Sequence, residues 1–357
     1  MKNFFKNKKV LITGHTGFKG SWLTLWFIHM GAKIMGVSAG YPTTPSNFKI
    51  LKLEKKIDHK IADIRDHKKI KKLVLKFKPD YLFHLAAEAI VKKSYQNPKK
   101  AWETNTLGTV NLMEALKDYK KNIVVVIITS DKVYKNIEIL RGYKENDTLG
   151  SFDPYSASKA SADLAVQSYT QSFFKKKKNI RIAIARAGNV IGGGDWSSGR
   201  LIPDCVRQWS NNKTVVLRNP KSTRPWQHVL DILRGYILLA INLKKNKSYS
   251  GEAFNFGPKK TKNIKDFQVL SVVKEMNLHW NKAKWKIKKN KTFFESNLLQ
   301  LDSTKANKKL RWKCLLSLKK SIFFTTTWYK IYHKKSQNIF NFSINQIKNY
   351  ENFFLKQ

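Results

Sequence analysis

Along the first half of the chain, short unbroken apolar runs alternate with longer stretches in which apolar residues recur every three or four positions. The runs have the pattern of strands buried on both faces, and the longer stretches that of amphipathic helices. Their strict alternation predicts a parallel sheet joined by crossover helices. Val10-Leu11-Ile12 is the first strand, a helix follows from about Ser21 to Met30, Gly31 stops it, and Lys33 to Val37 is the second strand. Ile57 to Ala62 is short and extended, and Asp66 caps a basic helix over Lys68 to Phe77. Pro79 restarts the chain into a fourth strand, Tyr81 to Leu85. A helix through Thr109 to Leu116 leads to Ile123–Ile128, whose continuous β-branched run marks a central strand; a helix over Ala157 to Phe174 and a sixth strand, Ile180 to Ala185, follow. No internal repeat is present. From Gly188 the regularity gives way to Gly, Asp, Trp, Arg and Pro, the composition of loops that make contacts. The expected division is a nucleotide-binding unit over 1–185, with segments near 225–260 returning to it, a substrate-binding unit over 186–337 and a tail over 338–357.

Composition adds one conspicuous number. The 357 residues carry 69 Lys plus Arg against 24 Asp plus Glu, a formal net charge of +45. With 42% hydrophobic residues the chain has material for a core, which argues against a disordered basic tail protein. Lys, Asn, Ile and Phe are abundant together and share A/T-rich codons, so one reading of the charge is genomic base composition; the other is a polyanion partner. The Lys are spread over the chain and no nucleic-acid motif accompanies them, so no nucleic acid is expected as partner. Two cysteines, Cys205 and Cys314, form no C-x-x-C and no disulfide framework, and the eight His show no ligand spacing. No metal is expected. No segment reaches the roughly 18 apolar residues of a membrane span, and a cytoplasmic setting fits.

The first chemical motif is Thr13-Gly14-His15-Thr16-Gly17-Phe18-Lys19-Gly20, lying between a strand and a helix. Glycines there let backbone approach a pyrophosphate, and the helix N-terminus offers it free N–H groups. The expected fold class is thus α/β, a Rossmann-type doubly wound parallel sheet with a smaller C-terminal substrate-binding domain. The spacing is G-x-x-G-x-x-G, and Ser38, Ala39 and Gly40 stand where an acid for a ribose would be expected. Asp63 is placed either to accept from an adenine amino group or to cap the next helix. The second motif, Tyr155-Ser156-Ala157-Ser158-Lys159, puts a phenol and an ammonium on one helix face. A free phenol titrates at about pH 10, so the cation would favour ionisation nearer neutrality. The third, Thr129-Ser130-Asp131-Lys132-Val133-Tyr134, follows the buried fifth strand, at the strand end where open α/β sheets bind ligands.

Together these motifs resemble the extended short-chain dehydrogenase/reductase superfamily over roughly Lys8 to Trp312, and within it the sugar-nucleotide 4,6-dehydratases. Further strings carry the resemblance: Arg186-Ala187-Gly188-Asn189-Val190-Ile191-Gly192-Gly193-Gly194-Asp195-Trp196, Arg200-Leu201-Ile202-Pro203-Asp204, Arg218-Asn219-Pro220 and Arg224-Pro225-Trp226-Gln227-His228-Val229. The resemblance implies NAD as cofactor, held by Gly14, Thr16, Gly17, Phe18, Gly20, Asp63, Ile64, Ala86, Tyr155 and Lys159. It implies CDP-glucose or a similar nucleotide sugar as substrate, with Asn189, Arg200, Arg218 and Arg224 as binding residues; forked guanidinium groups suit a diphosphate.

The chemistry so implied gives Tyr155 the role of base on the sugar 4-hydroxyl, with Ser130 on the same oxygen. Lys132 removes the C5 proton, and Asp131, protonated, delivers one to the departing 6-hydroxyl. Lys132 must then be neutral and Asp131 must hold a proton near pH 7, so the two titrate jointly. Asn105 resembles an asparagine that supports the active-site helix, or is a buried structural amide. Trp196 and Trp226 pack on cytosine, on sugar or in the core. Glu88 and Ala89 stand where the pattern has Gln and Pro, and Arg311 where it has Gly. A UDP-N-acetylglucosamine 4,6-dehydratase, an epimerase and a non-catalytic polyanion binder are the alternatives. A homo-oligomer, dimer or tetramer, pairing through the helices near Thr109 to Leu116 and Ala157 to Phe174 is expected, with products feeding deoxysugars into surface polysaccharides such as lipopolysaccharide.

Overall fold

The computed structural model describes residues 1–139, 141–217, 219–258, 267–280, 283–288 and 299–355. Seven strands, β1 (Lys9–Thr13), β2 (Lys33–Ser38), β3 (Asp58–Ile61), β4 (Tyr81–His84), β5 (Ile123–Ile128), β6 (Ile180–Ala187) and β7 (Ala253–Phe256), form one sheet. Their order is β7-β6-β5-β4-β1-β2-β3 and every pairing is parallel. The order reverses between β1 and β4, which opens the crevice in which such sheets bind ligands. The α/β doubly wound fold class expected from the alternating pattern is the one observed.

Helices cover both faces, and β5 shows why. Its Val124, Val126 and Ile128 enter one apolar cluster, while Val125 and Ile127 enter the other. Side chains alternate across a strand, so a run without a polar residue has to be buried twice. The helices Phe18–His29 and Val229–Lys245 lie on the first face with Trp22, Trp26, Leu233 and Tyr236; His67–Phe77, Gly108–Lys117 and Pro154–Tyr169 lie on the second with Ile70, Leu112 and Val166.

Several boundaries differ from the sequence pattern for local reasons. Asp66 does cap the basic helix, accepting from Lys69 N at 3.0 Å. The helix that carries the Tyr-Lys pair starts earlier, at Pro154, because Asp153 accepts from Ser156 N at 3.0 Å. Its last turn, Thr170–Phe174, is widened to π geometry. A second π turn, Glu103–Leu107, precedes Gly108, where a Cβ would stand 2.6 Å from Ile64 Cγ2. β7 has no counterpart among the strands read from the pattern. It is added beside β6 at the sheet edge, well after the contact-making loops begin.

The segment expected as a tail is a helix, Ile339–Leu355, packed into the first cluster through Ile347 and Tyr350. Glu351 accepts from Trp26 Nε1 at 2.9 Å, and Tyr350 donates to buried Asp231 at 2.7 Å. Among the described residues no helix is long and apolar enough to cross a membrane.

Candidate active site

A cavity of about 890 Å³ lies over the carboxyl ends of β1, β2, β4 and β5. Its floor is the turn after β1. Gly14 has φ +73°, and a Cβ there would stand 2.6 Å from Ala86 N; a Cβ on Gly20 would stand 2.2 Å from Gly14 O. Only glycine lets the turn close so tightly against β4 and itself. Gly17 caps the helix Phe18–His29 and no side chain caps it, so the first turn presents unsatisfied N–H groups to the cavity. A dinucleotide fits this shape: Gly14, Thr16, Gly17, Phe18, Gly20, Asp63, Ile64 and Ala86 all line the cavity, together with Tyr155 and Lys159.

The far end of that floor is closed by unexpected partners. Ser38, at the end of β2, bonds His15 Nδ1 at 3.0 Å and accepts from Thr16 N at 3.4 Å. His15 in turn meets His59 at 2.6 Å, and burial with that neighbour lowers its pKa to about 3. Asp63 borders the cavity, but its carboxylate accepts from Arg65 Nε and Nη2 at 2.9 to 3.2 Å, and Arg65 also holds Glu103. The arginine's hydrogen bonds hold Asp63 below the usual carboxylate range. Asp63 is not the helix cap; Asp66 is.

The chemistry-bearing side chains converge from two elements, the turn after β5 and the helix Pro154–Tyr169. Ser130, just beyond β5, donates to Asp131 Oδ1 at 3.0 Å and accepts from Lys132 N at 3.2 Å. Asp131 is buried, and its Oδ2 has no hydrogen-bond partner. Gly188 leaves it room, since a Cβ there would stand 3.0 Å from that oxygen. Burial pushes Asp131 up, opposed first by Lys132, so its protonated form is favoured relative to an exposed carboxyl. Tyr155 is pushed up by burial too, with Ser130 and Arg200 acting the other way. Lys159 donates to Ile128 O at 2.9 Å, and burial together with nearby Lys19 lowers it to about 7. Ser130, Asp131 and Lys132 themselves stand just outside the cavity wall formed by Ile128 and Thr129.

The helix bearing Tyr155 and Lys159 is anchored from behind. Arg186 on β6 grips Asp163 with two bonds of 2.8 Å, both groups being buried, and Thr129 donates to the same carboxylate at 3.1 Å. Arg186 also donates to Tyr134 OH at 2.8 Å. Asn105 supports the helix from the other side, donating to Ser158 Oγ at 2.9 Å and to Glu88 O at 3.2 Å, while its own carbonyl receives Glu88 N at 2.8 Å. It is thus both a buried amide and a helix support. Glu88 lines the cavity with its Oε1 accepting from Ile90 N at 3.3 Å.

Of the expected substrate contacts, Arg200 lines the cavity and pairs with Asp195 at 2.9 Å. Asn189 and Arg224 are half-buried away from the wall: Asn189 O receives Gln227 N, and Arg224 donates to Thr223 O at 2.8 Å. Arg218 lies outside the described residues. Trp196 both borders the cavity and packs on Tyr329 and Tyr332, whereas Trp226 donates to Phe267 O at 3.0 Å. His228 caps the helix that follows it. The sequence reading passed over Lys19, which lines the cavity and which burial beside Arg200 lowers to about 8. It also passed over Asp163 and Asp195. Asp163 has no signal in sequence beyond being an acid in an otherwise basic chain, and Asp195 is marked only by its place in the Gly194-Asp195-Trp196 string.

Comparison with known proteins is consistent along the length. The profile of the GDP-mannose 4,6 dehydratase family matches residues 11–323. A CDP-glucose 4,6-dehydratase of Salmonella typhimurium is 42% identical over 333 residues, 92% of each chain. Among solved structures, an epimerase of Methanothermobacter thermautotrophicus superposes with a TM-score of 0.78 at 22% identity, covering 94% of this chain and 96% of that one. A dTDP-glucose 4,6-dehydratase of Bacillus anthracis, solved with NAD, gives 0.74 at 21% identity, covering 92% and 98%.

Proposed function

Because the chain belongs to the GDP-mannose 4,6-dehydratase family, we propose that it is an NAD-dependent dehydratase that converts CDP-glucose to CDP-4-keto-6-deoxyglucose. NAD, which Gly14, Thr16, Gly17, Phe18, Gly20, Asp63, Ile64 and Ala86 would hold, would supply hydride exchange between C4 and C6. The protein's own groups move the protons. Tyr155 takes the proton of the 4-hydroxyl, with Ser130 on the same sugar oxygen and Lys159 one helical turn along supplying positive charge. The resulting 4-ketone acidifies the C5 proton, which Lys132 removes. Asp131 delivers its proton to the departing 6-hydroxyl, water leaves, and a proton is returned to C5 from the Lys132 side as C6 is reduced. Asn189, Arg218 and Arg224 bind the nucleotide diphosphate, and Arg200, which lines the cavity, contacts the substrate there.

The observation that carries this reading is Asp131: a buried carboxyl with an unengaged oxygen, one residue from Ser130, whose burial pushes its pKa above that of an exposed carboxyl. An epimerase has no leaving hydroxyl to protonate. The 42% identity to a CDP-glucose dehydratase supports the choice of nucleotide. A second enzyme reading, on UDP-N-acetylglucosamine, has no specific contact in its favour.

Incubation with CDP-glucose should produce the alkaline absorbance of a 4-keto sugar. No product, with salt-sensitive retention on DNA instead, would sink the proposal. Lys132→Ala should abolish elimination while bound NAD is kept; unchanged turnover would remove Lys132 from the mechanism.

We place the enzyme in the cytoplasm, where nucleotide sugars are made, as a homo-oligomer. Leu107, Leu164 and Phe173 are 54%, 51% and 46% exposed on the two neighbouring helical segments, an apolar surface suited to a second copy.

A further inference from the structure

Arg200 is a long, flexible side chain on a glycine-rich loop, and such a group loses considerable rotamer freedom when fixed. In this protein it is fixed by a built support. Asp195 is only 3% exposed, and its Oδ2 accepts from Arg200 Nη1 at 2.9 Å while its Oδ1 accepts from Ser197 N at 3.1 Å. Its backbone carbonyl accepts from the Tyr329 hydroxyl, on the helix Leu318–Lys334. The loop is wedged at each preceding residue: a Cβ on Gly192 would meet Val229 at 2.7 Å, one on Gly193 would meet Trp328 at 2.1 Å, and one on Gly194 would meet Asn47 at 2.4 Å.

Arg200 and Tyr155 line the same cavity, so a guanidinium there favours the ionised phenol. The groups acting on the Tyr155 phenol are Ser130 and Asp131 from the turn after β5, Asp153 from its own helix, and Arg200; Tyr236 faces it from the helix Val229–Lys245. Lys159 stands one helical turn along, with Lys19 nearby. Asp153, and Asp131 whenever it is ionised, disfavour the phenolate, so a cation held in the same cavity has a function there.

We propose that Asp195 is a positioning residue: braced by Tyr329, it aims the Arg200 guanidinium at the Tyr155 side of the cavity, where it supports the phenolate used in the first proton transfer. This rests on the assignment of Tyr155 as the base in the proposed dehydration.

Asp195→Asn tests it with a built-in sign. Asparagine keeps an acceptor for Ser197 N but loses the charge that holds Arg200. If Arg200 stayed in place, removing a nearby negative charge would make the phenol more acidic; if Arg200 is released, the phenol becomes less acidic. The measurement is an ultraviolet difference titration of the holoenzyme against its Tyr155→Phe counterpart, which needs no substrate. The Tyr155 midpoint should rise by about one pH unit in Asp195→Asn, the size of effect one displaced cation has on a neighbouring group. The acid limb of kcat/KM should move the same way, with Asp195→Glu restoring part of it. Tyr329→Phe, which keeps the ring and removes only the brace, should give a smaller rise.

A midpoint that stays or falls in Asp195→Asn overturns the proposal, and so does a Tyr329→Phe midpoint unchanged from the wild type. Failure of the wild-type protein to turn over CDP-glucose would leave the titration readable, so loss of the substrate reading and loss of this one are distinct results.

Discussion

Asp163 and Arg186 form an ion pair with essentially no solvent contact, fixed by two parallel bonds. Such a pair adds little net stability over an apolar replacement, but breaking it leaves a bare buried charge. Asp163→Ala should therefore cost about 3–5 kcal/mol in urea unfolding, since Arg186 has no route to water. Because Thr129 leans on the same carboxylate, activity should fall more steeply than stability alone accounts for. Three buried histidines set the response to acid. His15, His84 and His228 each have a pKa lowered from 6.5 to about 3, chiefly by burial. Their folded value lies below the unfolded one, so they cost nothing above pH 6.5, and stability is lost as pH falls from there toward 3. At pH 5 the loss is about 2 kcal/mol for each, and the thermal midpoint should drop steadily between pH 6.5 and 5. A midpoint flat across that interval would contradict the buried, neutral state of these rings.

At the scale of elements, what was readable was what is encoded locally. The β-branched run Ile123–Ile128, the Gly-rich turn and the Asp66 cap each declare themselves within a few residues. β7 did not, because Ala253–Phe256 has four residues and no period; only its pairing with β6 makes it a strand. Nor did the helix Ile339–Leu355, whose anchors Trp26 and Asp231 lie 325 and 119 positions away. The site divides the same way. Tyr155, Lys159, Ser130 and Asp131 were legible from strand-end and helix-face logic, whereas the supports Asp163 and Asp195 acquire meaning only once Arg186 and Arg200 are folded onto them. Arg311 is a case where a local departure has a local price. It ends the helix Thr304–Leu310 with φ +53°, a conformation that suits glycine. Arg311→Gly should stabilise the protein by about 0.5–1 kcal/mol, read as a shift in denaturation midpoint at constant slope.

For the molecule as a whole, the net charge of +45 is largely background to the chemistry. The cations that line the cavity with a defined geometry are few, and Arg200 and Lys159 are each held by a bond to a specific partner. The field of the remainder speeds encounter with an anionic nucleotide sugar and is screened by salt. Such charge also makes self-association harder, so the proposed homo-oligomer would have to rest on apolar contact. Leu164→Glu, placed in the exposed apolar surface beside Leu107 and Phe173, should shift sedimentation toward the monomer while leaving the circular dichroism spectrum intact. An unchanged sedimentation coefficient would move the contact surface elsewhere.

The three consecutive glycines ahead of Asp195 bear on how this chain tolerates mutation. At Gly192, Gly193 and Gly194 the space of a single methyl group is already taken by Val229, Trp328 and Asn47, from three separate parts of the chain. A random-replacement library should return glycine alone at all three codons, and lysine freely a few residues away on the exposed helices.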